Sequence, residues 1–176
     1  VVTVDVGLFQ HLLATCAAHA HTELAHCTAC LARLHQAVDL YRGELLADFR
    51  LTDAPAFEEW LLLQREMLHQ QALATLHLLV QIYEQQGADE QAHAYASRQL
   101  ALDPSREEAH RQLMRNLARR GQNAAALAQY ETCRRILREQ LNVAPDLETV
   151  ALYEQIRSGH FDQVTRRQGD KETRRQ

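Results

Sequence analysis

Three observations predict an all-α chain. Ala, Leu, Gln, Glu and Arg dominate the composition, and only six glycines and three prolines interrupt 176 residues. These are helix formers with few breakers. Apolar residues recur at steps of three and four along most of the chain, the period of a helix with one buried face. Residues 73–106 also lie over 107–140 with a 34-residue period, which is that of a tetratricopeptide (TPR) helical hairpin. The expected architecture is a TPR-like helical-hairpin array, a right-handed α-α superhelix of about seven helices.

Caps and breakers place the elements in order. The first helix is expected over about Asp5 to Ala18, with Phe9, Leu12, Leu13 and Cys16 on one face. The second is expected from about Thr22 to Arg42, with Leu24, Cys27, Leu31, Leu34, Val38 and Tyr41 as its stripe and Gly43 as a left-handed cap. After the loop "ELLADFRLTD", Asp53 caps a long third helix, Ala54 to Gln86, in which a bend or break is expected. The fourth spans Ala88 to Leu102 and is closed by Asp103-Pro104. Ser105 and Glu108 read as a capping box opening the fifth, which ends before Gly121. The sixth runs from about Asn123 to Leu141, and Asp146 caps the seventh, to about Arg157. The polar run from Ser158 has almost no apolar residues and is expected to be disordered. The domain expectation is therefore 1–157 for the helical module and 158–176 for a charged tail.

The repeat has a physical reason at each matched position. Leu79 falls on Leu113 and Tyr83 on Leu117, large residues that fill a helix seam. Gly87 falls on Gly121, where the chain must turn left-handed. Ala92 falls on Ala126, where a small side chain allows close approach, and Ala96 falls on Tyr130. Two such units cannot bury a solenoid core alone, so the flanking helices are expected to cap them.

Composition narrows the function. A formal charge of −4 argues against a chain that binds nucleic acid over its whole surface. No apolar run approaches the roughly 20 residues of a membrane span. The first residues lack the basic and cleavage features of a signal peptide, and there is no initiator Met, so the chain reads as a piece of something longer. Four cysteines in a helical chain of this size suit a reducing cytoplasm better than a disulfide framework.

Four stretches resemble a known family. They are "DVGLF" at 5–9, "AVDLYRGELLADF" at 37–49, "EEWLLLQREML" at 58–68 and "QYETCRRILREQLNVAPDLETVALYEQI" at 129–156. Together they look like the bacterial transcriptional activator domain of the Streptomyces antibiotic regulatory protein family and its relatives. The family's usual ending is closer to Glu-Leu-Gly-Val-x-Pro. Here Gln140 and Asn142 stand at the Glu and Gly positions, and Asn tolerates the left-handed turn. The resemblance implies an all-α, TPR-like module that usually follows a winged-helix DNA-binding domain and activates transcription at repeated sites near promoters. Nothing in residues 1–176 looks like the winged helix, so the DNA reader is expected outside this chain.

Candidate sites follow from spacing. Arg111, Arg115 and Arg119 form a basic stripe at steps of four. In the repeat register they and the earlier unit's His77 and Gln81 map to a concave groove, where guanidinium forks suit an acidic protein segment. The bland reading is a solvated helix face with ordinary ion pairs. Arg134, Arg135 and Arg138 form a second basic set, which could make a phosphate contact beside an attached DNA reader. Phe57 and Trp60 read as core under the 44–53 loop, with an interface anchor as the other reading. Cys27 and Cys30 read chiefly as small hydrophobes. Zinc is the lesser reading, because two ligands at one spacing are half a site, although Cys16, His19, His21 or His26 could add others. No cofactor is expected. No catalytic constellation is recognisable: Glu58-Glu59 and Asp89-Glu90 are adjacent on helices and point apart, so an enzyme is not expected.

The expected function is that of a regulatory and activation module working by protein contacts in the cytoplasm. The expected partners are itself, in a possible homodimer, its DNA-binding domain and RNA polymerase. The alternative is a general TPR adaptor for peptides, unconnected with transcription.

Overall fold

The computed structural model describes residues 5–20, 23–49, 51 and 53–161. The fold is all-α, a TPR-like helical array, and no strand occurs among the described residues. Seven α-helices are present there: α1 (Asp5–Ala18), α2 (Thr28–Leu40), α3 (Pro55–Gln85), α4 (Asp89–Leu102), α5 (Glu107–Arg119), α6 (Asn123–Ile136) and α7 (Leu147–Arg157). The chain forms two compact units that divide between Ile82 and Tyr83. Residues 162–176, which hold most of the expected tail, lie outside the described residues, as does His21.

In the N-terminal unit α1 and α2 form a hairpin. Phe9 and Leu12 of α1, Ala37 of α2, and Leu68 and Ala72 of α3 make one buried cluster, flanked by Tyr41 and Leu45. α1 keeps its expected limits. The second helix does not. A short 3₁₀ turn at Leu24–His26 precedes it, and Cys27 has an extended backbone and acts as the N-cap of α2, with its carbonyl accepting from Leu31 N–H at 2.9 Å. The buried residues of α2 are Cys30, Leu34, Ala37 and Val38, so Cys30, not Cys27, lies on the core stripe. The helix closes on an extended Tyr41 before Gly43 is reached. α3 is helical throughout, without the expected break, because no glycine or proline falls between Pro55 and Gly87.

In the C-terminal unit the repeat is visible in atomic detail. Ala88 N–H donates to the Tyr83 carbonyl at 2.9 Å, and Gln122 N–H donates to Leu117 at 2.9 Å. Gly87 and Gly121 sit at φ +67° and +72°. These are two copies of one Schellman cap, each with its glycine in the left-handed region. An added Cβ would meet nothing within 4 Å at either glycine, so backbone angle and not space demands the residue. Ala92, Ala96 and Ala126 are fully buried at the close approaches.

Two local details differ from the expected pattern. Ser105 does not cap α5. Its N–H and hydroxyl both donate to Asp103 Oδ1, at 3.0 and 2.7 Å, and Arg106 becomes the N-cap. The sixth helix reaches Leu141 through a π-turn, Leu137–Leu141, that ends on Asn142 at φ +56°. Asn142 thus fills the left-handed position expected of it. Asp146 caps α7 as expected, its Oδ1 accepting from Thr149 N–H at 2.8 Å.

Replacing Gly121 by Ala is expected to cost about 1 kcal/mol of unfolding free energy, because a Cβ is strained at positive φ. Gly121→Asn is expected to cost less, since Asn tolerates that region. Urea unfolding followed by circular dichroism checks the order; equal losses would show that φ is not the constraint.

Candidate functional site

Three side-chain groups stand out. The first is the arginine stripe of α5. Arg111 is buried, with its side chain 10% exposed. Its Nη1 donates to Asp146 Oδ2 at 2.7 Å and to Thr149 Oγ1 at 2.9 Å, and its Nη2 donates to Glu108. Glu107 completes the cluster, accepting from Asp146 N–H at 2.9 Å and from the Thr149 hydroxyl at 2.8 Å. Arg119 reaches Asp89 at 3.2 Å and Glu84 at 3.2 Å. Arg115 pairs with Glu108 at 3.4 Å. The stripe therefore meets carboxylates of its own unit and joins α5 to the start of α7, the start of α4 and the end of α3. His77 and Gln81 belong to the N-terminal unit, His77 half-buried and Gln81 exposed.

Electrostatics follow this geometry. Burial alone would raise the Glu108 carboxyl, but hydrogen bonds and charge from Arg111, then Arg115, hold it below its ordinary value. For Asp146 burial also acts upward and is outweighed by the Thr149 N–H and Arg111, so its carboxyl is lowered too. His110 is buried and lowered, first by desolvation. Its Nε2–H donates to the Pro104 carbonyl at 2.9 Å, which leaves Nδ1 to accept from the Gln129 amide at 2.7 Å. That is the neutral imidazole.

The second group is an apolar surface at the start of α3. Trp60 is 48% exposed, Leu62 65% and Leu63 63%. Trp60 is thus not core, contrary to the sequence expectation. Phe57 is half-buried, and Phe49, Phe57 and Trp60 form a chain of rings 5.9 and 5.6 Å apart. The core side of α3 is already filled by Leu61, Leu68 and Ala72. Trp60, Leu63 and Met67 fall one helical turn apart on another face. The adjoining loop presents Leu46, Phe49 and Leu51 to solvent. It is held by Arg65, which donates to the Leu45 carbonyl at 2.7 Å and also to Leu46, whose φ is +50°. Glu58 accepts from Leu51 N–H at 2.6 Å. Sequence reasoning named the aromatics but missed the face; the 60/63/67 spacing was its signal.

The third group joins the end of α1 to the start of α2. His19 Nδ1 lies 3.1 Å from Cys30 Sγ and 3.5 Å from Cys27 Sγ. Arg33 Nη1 is 3.7 Å from Cys30 Sγ. Burial, then the neighbouring Cys30, pushes the Cys16 thiol up to about 11. The Cys30 backbone amide near its sulfur holds the Cys27 thiol below the ordinary value. His26 is turned elsewhere, toward Glu23 at 3.0 Å. Cys133 belongs to the C-terminal unit, where it is buried on α6 and its thiol is pushed up to about 12 by desolvation.

The second basic set is exposed on α6. Arg134 pairs with Glu131 at 2.6 Å and Arg135 with Glu139 at 3.1 Å. With Arg138 they line a shallow cleft.

Arg111→Met is expected to destabilise the chain by about 2–3 kcal/mol, since it leaves part-buried carboxylates without their cation. It is also expected to flatten the acid limb. Glu108 and Asp146 are lowered in the fold, so their contribution is complete above their unfolded values, about 4. It is lost as pH falls through the lower folded values. Chemical denaturation from pH 7 to 3 on both proteins checks this; parallel curves would refute it.

The profile of the bacterial transcriptional activator domain matches residues 4–157. No curated protein matches the chain. No helix among the described residues is long and apolar enough to cross a membrane. The helical-hairpin array with its paired left-handed caps agrees with that match, which takes in all seven helices, and the chain belongs to the bacterial transcriptional activator domain family.

Proposed function

We propose that this chain is the regulatory and activation module of a cytoplasmic regulator of the Streptomyces antibiotic regulatory protein type. It works by protein–protein contacts: with a second copy of itself, with its DNA-binding domain and with RNA polymerase. DNA is read by a winged-helix domain outside these residues. The observation that carries this reading is the exposed face of Trp60, Leu63 and Met67 beside Leu46, Phe49 and Leu51. An apolar patch of aromatic and leucine side chains, rimmed by Glu59 and Glu66, has the composition of an interface centre.

The face is assigned to a second copy of the module. Pairing through it holds two DNA readers together, and occupancy of one site then raises the effective concentration at its neighbour. The arginine stripe has a narrower part. An acidic partner segment can enter only by replacing in-chain carboxylates. Arg115, with 32% of its side chain exposed and its ion pair at 3.4 Å, is where it would do so. Arg111 and Arg119 flank it on the same stripe of α5.

The 176-residue chain is expected to self-associate in sedimentation equilibrium. Leu63→Glu is expected to make it monomeric with an unchanged helical signal. In a full regulator carrying the module, the same substitution is expected to lower reporter activation by about tenfold or more while single-site DNA binding persists. A chain that stays monomeric, with a Leu63→Glu regulator that activates normally, overturns the reading.

A further inference from the structure

The thiols and imidazole at the α1–α2 corner take no part in the function proposed above. We infer that His19 Nδ1, Cys27 Sγ and Cys30 Sγ, completed by Cys16 Sγ, form a structural zinc site. The ligand atoms of His19, Cys27 and Cys30 all lie within 4.8 Å of one another. With Zn–S near 2.3 Å and Zn–N near 2.0–2.1 Å, a tetrahedral site places N and S donors about 3.6 Å apart and two sulfurs about 3.8 Å apart. The observed 3.1 and 3.5 Å need adjustment by only a few tenths of an ångström.

The fourth ligand comes from α1. Cys16 Sγ lies 4.0 Å from the Cys30 carbonyl, and Cys30 Sγ lies 4.0 Å from the Cys16 carbonyl. Cys16 Sγ stands outside the set of donors within 4.8 Å of one another, so a metal would draw it in by a side-chain adjustment. The donors thus form two pairs with the same spacing, Cys16-x-x-His19 at the end of one helix and Cys27-x-x-Cys30 at the start of the next.

Packing does not account for this arrangement. Apolar burial explains Cys16 and Cys30, but His19 is exposed and Cys27 only half-buried, and both still converge on the buried sulfur. Soft thiolates with one imidazole in a compact set favour zinc over calcium or magnesium, which take oxygen ligands. Three thiolates around a divalent ion leave one negative charge in excess. Arg33, at 3.7 Å from Cys30 Sγ, and the N-terminus of α2 offset it. A metal here pins the turn between α1 and α2, where the predicted continuous helix is broken.

The test uses the reduced, metal-free 176-residue chain, titrated with Zn(II) against a chromogenic chelator and with Co(II) by absorbance. One equivalent of zinc per chain is expected, and the cobalt form should show thiolate charge-transfer bands with the intense visible bands of a tetrahedral site. His19→Ala and Cys27→Ser, neither of them a core side chain, should each weaken zinc binding by about a hundredfold with unchanged helical signal. Cys16→Ser should alter the cobalt spectrum, whereas Cys133→Ala should leave zinc binding intact. Absence of stoichiometric zinc, binding unaffected by His19→Ala and Cys27→Ser, or binding that follows Cys133 overturns the site. An unchanged cobalt spectrum in Cys16→Ser removes Cys16 from the ligand set.

Discussion

The left-handed glycine turn between paired helices is the constraint on which the C-terminal unit rests. A helix can reverse only if its last carbonyls find donors and the chain leaves at a fixed angle. One hydrogen bond does both at Tyr83–Ala88, and the same bond recurs at Leu117–Gln122. With the reversal set, fully buried alanines at 92, 96 and 126 let neighbouring helices close. That closeness carries polar groups inside, and the amide nitrogens of Gln99 and Asn116 find partners there. Gln99 Nε2 donates to Gln112 Oε1 at 2.8 Å, and Asn116 Nδ2 donates to the Asp89 carbonyl at 2.8 Å. Both contacts join α4, or its first residue, to α5.

α5 thereby becomes the hub of the unit. Its apolar positions meet the seam, its amides meet α4, and its arginines meet three separate segments. Burying Arg111 without carboxylates would be costly, and here Glu108 and Asp146 supply them. A sequence reader sees arginines at steps of four and cannot say whether they face a partner or the protein itself. The deciding residues are far away in the chain: Asp146 lies 35 positions from Arg111, and Glu84 lies 35 from Arg119. Periodicity reports a face, and only tertiary structure reports what the face meets.

The same distinction explains what was legible elsewhere. α3, α4 and α7 were placed by local signals, a cap or a breaker within a turn of each end, and α1 by its apolar spacing. The 34-residue repeat was legible because Gly87 and Gly121 each answer a local backbone demand. The break at Cys27 had no such signal. The stretch "HTELAHCTAC" contains neither glycine nor proline, and its apolar spacing continues a helical stripe. The chain departs from that stripe because Cys30, not Cys27, enters the core. In the same way Ser105 had the residue types of a capping box, but the nearer Asp103 carboxylate took its donors.

α3 raises a question of a different kind, since it is apolar on two faces. Leu61, Leu68 and Ala72 are buried, while Trp60, Leu62 and Leu63 remain in water. A helix apolar on both sides has the pattern of an element held between two layers. Each large apolar side chain left exposed forgoes about 1.5–3 kcal/mol that burial would supply. The aromatic chain from Phe49 through Phe57 to Trp60 does not collapse inward to recover it, because Arg65 and Glu58 hold the loop in place. A fixed loop presenting apolar side chains to water is preorganised, so little ordering cost remains when a second surface covers it. The arginines of α5 meet carboxylates of their own unit, whereas large apolar side chains at the start of α3 stay in water. That asymmetry makes α5 an element that holds its own unit together, and it supports the proposal that the exposed face of α3 meets another protein.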